Sequence, residues 1–334
     1  MNSRLGLGAM SPEIIEGIIK ASSILKKPLM LISTQNQINL NRGYVNNWTT
    51  KEYMDFVNNL RRKYKDSKIY ICRDHCGPGF SFKNTIVNDV YDTIYDDINN
   101  GFDLIHIDFS KFDKDRKIVL SETKKIIKWI LKQKDNIKIE IGTEENVGEW
   151  KNNFEEIETE INFFKEFLVP EFFVVQTGSL VKEINQVGSF NNKFISRIHE
   201  LLSEHGFKLK EHNADYLDYE MIKKRKGIVD AMNIAPQLGV IQTQVVINEA
   251  LIYGLDINPF LNCSYNSRAW KKWLYKSTPK NKMLCSIIAG HYNFYSDEYK
   301  ELISNLEKYT NIKDLIISKI INLIQYYDYS LYNN

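Results

Sequence analysis

The chain has 334 residues, 43% hydrophobic and 26% charged, which is the balance of a folded core and excludes disorder as its main state. Lys and Arg number 44 against 42 Asp and Glu, so the formal net charge of +2 offers no electrostatic case for a nucleic-acid partner. No apolar run approaches the ~18 residues of a membrane span, and residues 1–8 are too short and polar for a signal peptide, so the cytoplasm is the expected compartment.

Short apolar or β-branched runs alternate with longer helical patterns. The expected strands are 5–9, 28–33, 68–72, 104–108, 138–141, 172–176, 208–211 and 228–233. Helical patterns lie between them at 12–25, 49–64, 83–99, 121–134, 158–167, 191–205 and 219–225. Thr49 followed by Glu52 is a capping box, which supports the second helix start. Runs such as LMLIS, LIHID and FFVVQ are apolar on both faces, as buried parallel strands are. Eight successive strand–helix units predict an α/β TIM barrel, with a doubly wound sheet as the alternative. From Gln237 onward the pattern turns helical, with an irregular tyrosine-rich stretch at 264–295 and one long amphipathic helix at 296–331. The economical division is a barrel over 1–255 and a helical extension over 256–334 packed on it. Four cysteines (Cys72, Cys76, Cys263 and Cys285) are too few for a disulfide scaffold and lack the pairing of a zinc knuckle.

Barrel enzymes build their sites at the C-terminal ends of the strands, and polar residues gather there in this chain. The second strand is followed by Thr34-Gln35-Asn36-Gln37, and the third ends in Arg73-Asp74-His75-Cys76. The fourth and fifth end in His106-Ile107-Asp108 and Gly142-Thr143-Glu144-Glu145. The sixth gives Gln176-Thr177-Gly178-Ser179, the seventh Glu211-His212-Asn213-Ala214-Asp215, and the eighth Asn233. Asn36, Gln37, Asp108, Gln176, Asn213, Asp215 and Asn233 are therefore candidate substrate contacts.

Imidazoles and a carboxylate converging from different strands can hold a divalent metal, and His75, His212 and Glu144 supply that set. A lone histidine is more often a satisfied core or surface residue; two at strand ends shift the balance toward a metal. His106 shares a strand face with Asp108 and is expected one layer deeper, in a supporting role. His199 and His205 fall on a helix face and read as surface, and His291 stays unassigned. Asp74, next to a ligand, is placed to move a substrate hydroxyl proton, with support of a ligand or a loop hydrogen bond as the competing role. Glu145 is a second, weaker acid/base candidate. Gly6-x-Gly8 lacks the remaining glycine of a dinucleotide fingerprint, and IKKRK at 222–226 reads as a solvated helix end.

These same residues carry a resemblance. TQNQINLNRGY at 34–44, DHCGP at 74–78, GFDLIHIDFS at 101–110, IGTEEN at 141–146, VVQTGS at 174–179 and KEHNADY at 210–216 resemble the D-tagatose-1,6-bisphosphate aldolase subunit family of the GatZ/KbaZ type. That family is similar to the class II aldolases, so the resemblance implies a TIM barrel, a zinc ion (manganese or cobalt as alternatives) and an Asp-His pair on the third strand. It implies Asp74 as acid/base and His75 and His212 as ligands. The family's histidine after the sixth strand is replaced here by Gln176 and Thr177, which promotes Glu144 to third ligand. The family's C-terminal Ser-Asp-Arg appears without its arginine as Ser296-Asp297-Glu298, leaving Arg268, Lys271 and Lys272 as replacement phosphate contacts. The implied function is a metal-dependent aldol/retro-aldol enzyme acting at C3–C4 of a ketose or ketose phosphate, either an aldolase or a C4-epimerase. The alternative is a non-catalytic subunit that stabilises a class II aldolase. A homo-oligomer is expected, and no nucleic-acid or membrane partner.

Overall fold

The computed structural model describes residues 1–81, 87–142 and 154–332. Its centre is a closed barrel of parallel strands: β1 (Leu5–Gly8), β2 (Pro28–Thr34), β3 (Lys68–Cys76), β4 (Leu104–Ile107), β5 (Lys138–Gly142), β6 (Phe172–Val174), β9 (Leu209–Glu211) and β10 (Ala231–Ile234). Each strand pairs with the next in that order, and β10 closes on β1. The fold is an α/β TIM barrel. A short antiparallel ribbon, β7 (Val181–Lys182) with β8 (Asn185–Gln186), follows β6 and has no counterpart in the sequence pattern.

The helices of the barrel are α1 (Pro12–Leu25), α2 (Thr50–Lys63), α3 (Val87–Asn99), α4 (Arg116–Gln133), α5 (Phe154–Lys165), α6 (Asn192–Glu204), α7 (Tyr219–Arg225) and α8 (Pro236–Ile252). Local chemistry starts them. Ser11 caps α1 by accepting the Ile14 N–H, with Pro12 at the first position, and Thr49 with Glu52 forms the expected capping box on α2. The apolar stripe of α1 (Ile14, Ile15, Ile18 and Ile19) is fully buried. Inside the barrel, Met30, Ile32, Cys72, Leu104, Phe172 and Ala231 form a separate apolar cluster.

Beyond the barrel come α9 (Asn258–Asn266), α10 (Lys282–Ala289), α11 (Asp297–Leu306) and α12 (Ile312–Tyr332), with 3-10 turns at Ala269–Trp273 and Gly290–Asn293. The irregular stretch therefore contains a helix. The single long helix expected at 296–331 is two, because Asn311 accepts the Asp314 N–H and starts a new one. α12 packs on α1 and α8. Lys27 pairs with Asp328 at 2.9 Å, and the Tyr327 hydroxyl donates to the Ala214 carbonyl at 2.8 Å. Among the described residues no helix is long and apolar enough to cross a membrane.

Candidate metal centre

β3 is the strand that builds the site. It runs in register with β4 through Cys72 and Arg73, then slips, so that Arg73 pairs with Ile105 but Cys76 with Ile107. The extra residue is a bulge, and His75 within it adopts a left-handed backbone with φ of 47°. Consecutive side chains of a regular strand point to opposite faces. The bulge cancels that divergence, and both Asp74 and His75 line the cavity at the barrel mouth.

Three imidazoles meet there. His75 comes from β3, His106 from β4 and His212 from the residue after β9; their ring centroids lie 4.9 to 5.2 Å apart. Each has one nitrogen held by an acceptor. His75 Nδ1 lies 2.7 Å from Asp108 Oδ2, His212 Nε2 lies 3.0 Å from Glu140 Oε1, and His106 Nε2 lies 2.9 Å from the Gly142 carbonyl. These oxygens can only accept, so in the neutral tautomers those nitrogens carry the hydrogens and the opposite ones are deprotonated. The deprotonated nitrogens turn inward. His75 Nε2 and His212 Nδ1 face each other at 3.2 Å, and His106 Nδ1 receives the His75 N–H at 3.3 Å. A carboxylate or carbonyl behind each imidazole is the arrangement that orients metal-ligating histidines.

Carboxylates fill the remaining sides. Glu140 is fully buried and anchored by Lys210 Nζ at 2.5 Å. Asp74 Oδ1 lies 3.4 Å from both His106 Nδ1 and Asn233 Nδ2. Burial alone would raise the Asp74 carboxyl, but the neighbouring His75, His212 and His106 hold it well below the usual carboxylate range. Against the same desolvation, Lys210 and the imidazoles bring Glu140 down to about 2. Burial pushes His212 down to about 4, whereas the carboxylates around His106, Glu140 first, outweigh burial and raise it to about 9. His106 is thus pulled both ways: the carboxylates favour a proton on Nδ1, and the His75 N–H pointing at Nδ1 requires that nitrogen to be deprotonated.

The cluster opens into a cavity of about 700 Å³. Of the sequence candidates, Asn36, Gln37, Asp74, His75, Asp108, His212, Asn213, Asp215 and Asn233 line it. Asn36 and Gln37 also tie loops: Asn36 donates to the Phe80 carbonyl at 2.8 Å, and Gln37 accepts the Thr34 N–H at 2.7 Å. Gln176 is buried and does not line this cavity, and Arg268 is exposed at the start of the 269–273 turn, away from it. Glu144 and Glu145 lie outside the described residues. Sequence reasoning set His106 aside as supporting and passed over Glu140 and Lys210. The available signal was a titratable residue at an inward position of an apolar strand, as in LIHI and KIEIG. Lys272, Trp273, His291 and Tyr292 of the C-terminal extension also line the cavity.

A scan of family models finds no match to this sequence, and a search of curated proteins finds none either. Solved structures do match over nearly the whole chain. A probable tagatose 6 phosphate kinase from Sinorhizobium meliloti 1021 aligns with a TM-score of 0.79 at 16% identity, over 98% of this chain and 99% of that one. The fructuronate-tagaturonate epimerase UxaE from Cohnella laeviribosi aligns with a TM-score of 0.66 at 10% identity, over 98% of this chain and 81% of that one. A fructose-bisphosphate aldolase from Campylobacter jejuni aligns with a TM-score of 0.60 at 11% identity, over 98% and 90%. At such identities the likeness establishes the shared barrel.

Proposed function

We propose that the chain is a metal-dependent enzyme that makes or breaks the C3–C4 bond of a ketose or ketose phosphate, as an aldolase or a C4-epimerase. One observation carries the proposal: His75 Nε2 and His212 Nδ1 face each other at 3.2 Å, each ring anchored from behind by a buried carboxylate. Two deprotonated nitrogens repel at that distance, whereas two nitrogens bound to a tetrahedral zinc at 2.0–2.1 Å sit about 3.3 Å apart. The donor set fits a divalent ion, with zinc ahead of manganese and cobalt because imidazoles dominate. His75 and His212 would hold it. His106 joins them, since its ligand atom lies within 4.8 Å of both, and Glu144 stays a candidate from outside the described residues. When bound, the ion supplies Lewis-acid polarisation of the ketose carbonyl.

The protein's own groups do the proton work. Asp74 is ionised and faces the cavity, so it takes the C4 hydroxyl proton as the C3–C4 electron pair moves to C3 and C4 becomes an aldehyde. Condensation returns the proton. Release of the aldehyde, with the proton delivered to C3 of the remaining fragment, makes an aldolase; rotation and re-addition to its other face makes an epimerase. The structural likeness to an aldolase and to a fructuronate-tagaturonate epimerase supports a scaffold suited to both, and so do the motifs resembling the tagatose-bisphosphate aldolase subunits. A purely stabilising subunit has no use for imidazoles oriented from behind.

Incubation with fructose and tagatose phosphates plus Zn, Mn or Co, followed by carbon NMR, separates the two reactions. Turnover to three-carbon products gives an aldolase, and interconversion of the ketoses gives an epimerase. No turnover with any metal, and no stoichiometric metal in the purified protein, would sink the proposal.

A further inference from the structure

The extension does more than cover the barrel. His291 lies in the Gly290–Asn293 turn, is 1% exposed, and lines the same cavity as Asp74 and His75. Its Nδ1 is closed off from that cavity, and the Ile288 backbone holds the ring by a hydrogen bond. Asp215 and Asn233 line the same cavity. A buried polar ring lining a cavity with other polar side chains is placed to meet a polar ligand there.

The placement of His291 is built into the helix beneath it. A side chain at Gly239 of α8 would bring its Cβ to 2.5 Å from His291 Cβ, and one at Gly290 would run into the Thr243 hydroxyl. Only glycine at both positions lets the turn press against α8. On its other side, Tyr292 packs on Tyr44 from the loop after β2, with ring centroids 5.1 Å apart, so the turn reaches across the barrel mouth. Burial, with the Lys272 charge adding to it, pushes the His291 imidazole down to about 3, so at neutral pH the ring is uncharged and the nitrogen that Ile288 does not hold is left for a hydroxyl.

We propose that His291 is a substrate-contacting residue, and that with Asp215 it takes hydroxyl groups of the ketose chain beyond the carbons held at the imidazole cluster, where Asn233 already reaches Asp74. This rests on the ketose reading of the site. The class of ligand is a polyhydroxylated chain longer than three carbons, because a shorter one held at the cluster leaves the 290–293 turn untouched.

Calorimetric titration of the metal-loaded protein with fructose 6-phosphate and with dihydroxyacetone phosphate tests it. His291→Leu keeps the bulk and removes the polar atoms; it should weaken the six-carbon ketose about 5–10-fold, the size of one neutral hydrogen bond, and leave the three-carbon compound unchanged. His291→Asn restores a polar group there and should recover part of that loss. Equal weakening of both compounds, or no change in either, overturns the inference while leaving the metal site standing. A wild-type protein that binds neither compound overturns the ketose reading and this inference with it.

Discussion

Arg73 and Asp74 are consecutive, buried and oppositely charged, and they belong to two different kinds of network. Arg73 turns toward α3, where Nε and Nη2 reach Asp97 at 2.7 and 2.6 Å, and its Nη1 donates to the Ile38 carbonyl at 2.8 Å. That group is internally paired: a bidentate contact at full burial, with the Ile38 and Ser33 carbonyls both accepting from Nη1. Asp74 turns into the barrel mouth, among three imidazoles whose inward nitrogens crowd one another. That group can hold a cation, which the Arg73 group cannot. Burial and charge are common to both, so they do not mark a candidate binding site; converging ligand atoms do.

Substitutions should separate the two networks. His75→Ala and His212→Ala should have the largest effect, with metal content at background by elemental analysis, no measurable turnover, and an unfolding midpoint within a few degrees of wild type. Either variant keeping full metal and full activity would mean the centre is drawn wrongly. Asp97→Ala should do the reverse, costing about 3–5 kcal/mol in urea unfolding because it strands a buried guanidinium, with unchanged metal per folded molecule. Asp74→Asn should keep metal and substrate binding and lower kcat by ~10²–10⁴, the usual share of a general acid/base. A drop in metal content instead would recast Asp74 as a ligand. Asp108→Asn should weaken metal affinity about 10–100-fold through the orientation of His75, measured by competition with a chelator.

The smallest expected effect is on pH. Burial pushes Asp215 up to about 7, from an ordinary value of 3.8, although Ala235 and Gln237 donate backbone N–H groups to it. Between those values the folded state holds a proton that the unfolded chain has lost, so stability falls as pH rises through the window. From pH 6 to pH 7 the loss is about 1 kcal/mol, and it should vanish in Asp215→Asn. An identical slope in both proteins would count against a neutral Asp215.

Most of the barrel was legible because buried parallel strands are apolar throughout and end abruptly in polar residues, as LMLIST and FFVVQT do. The pairing of Asp74 with His75 in one pocket was expected at the strand end, but the bulge that achieves it was not, since sequence alternation does not encode it. His106 and Glu140 escaped for the opposite reason: they sit inside apolar runs, where flanking isoleucines made them look structural. Arg268 was chosen for its charge, yet it lies exposed at the start of the 269–273 turn and does not line the cavity. His291 could not be placed at all, because only the seat formed by Gly239 and Gly290 brings it to the mouth.

Tyr327 gives the site a folding history. Its hydroxyl holds the Ala214 carbonyl, 113 residues upstream, and receives the Leu217 N–H at 3.2 Å, so α12 fastens the loop that carries His212. Contacts of such long sequence separation form late and slowly. During synthesis the strands can close and the helices gather while the loop carrying His212 is still unlatched, and the imidazole cluster waits for the last described helix to dock. A chain stalled or cut before α12 would then resemble a folded barrel by its secondary structure and still leave His212 loosely held.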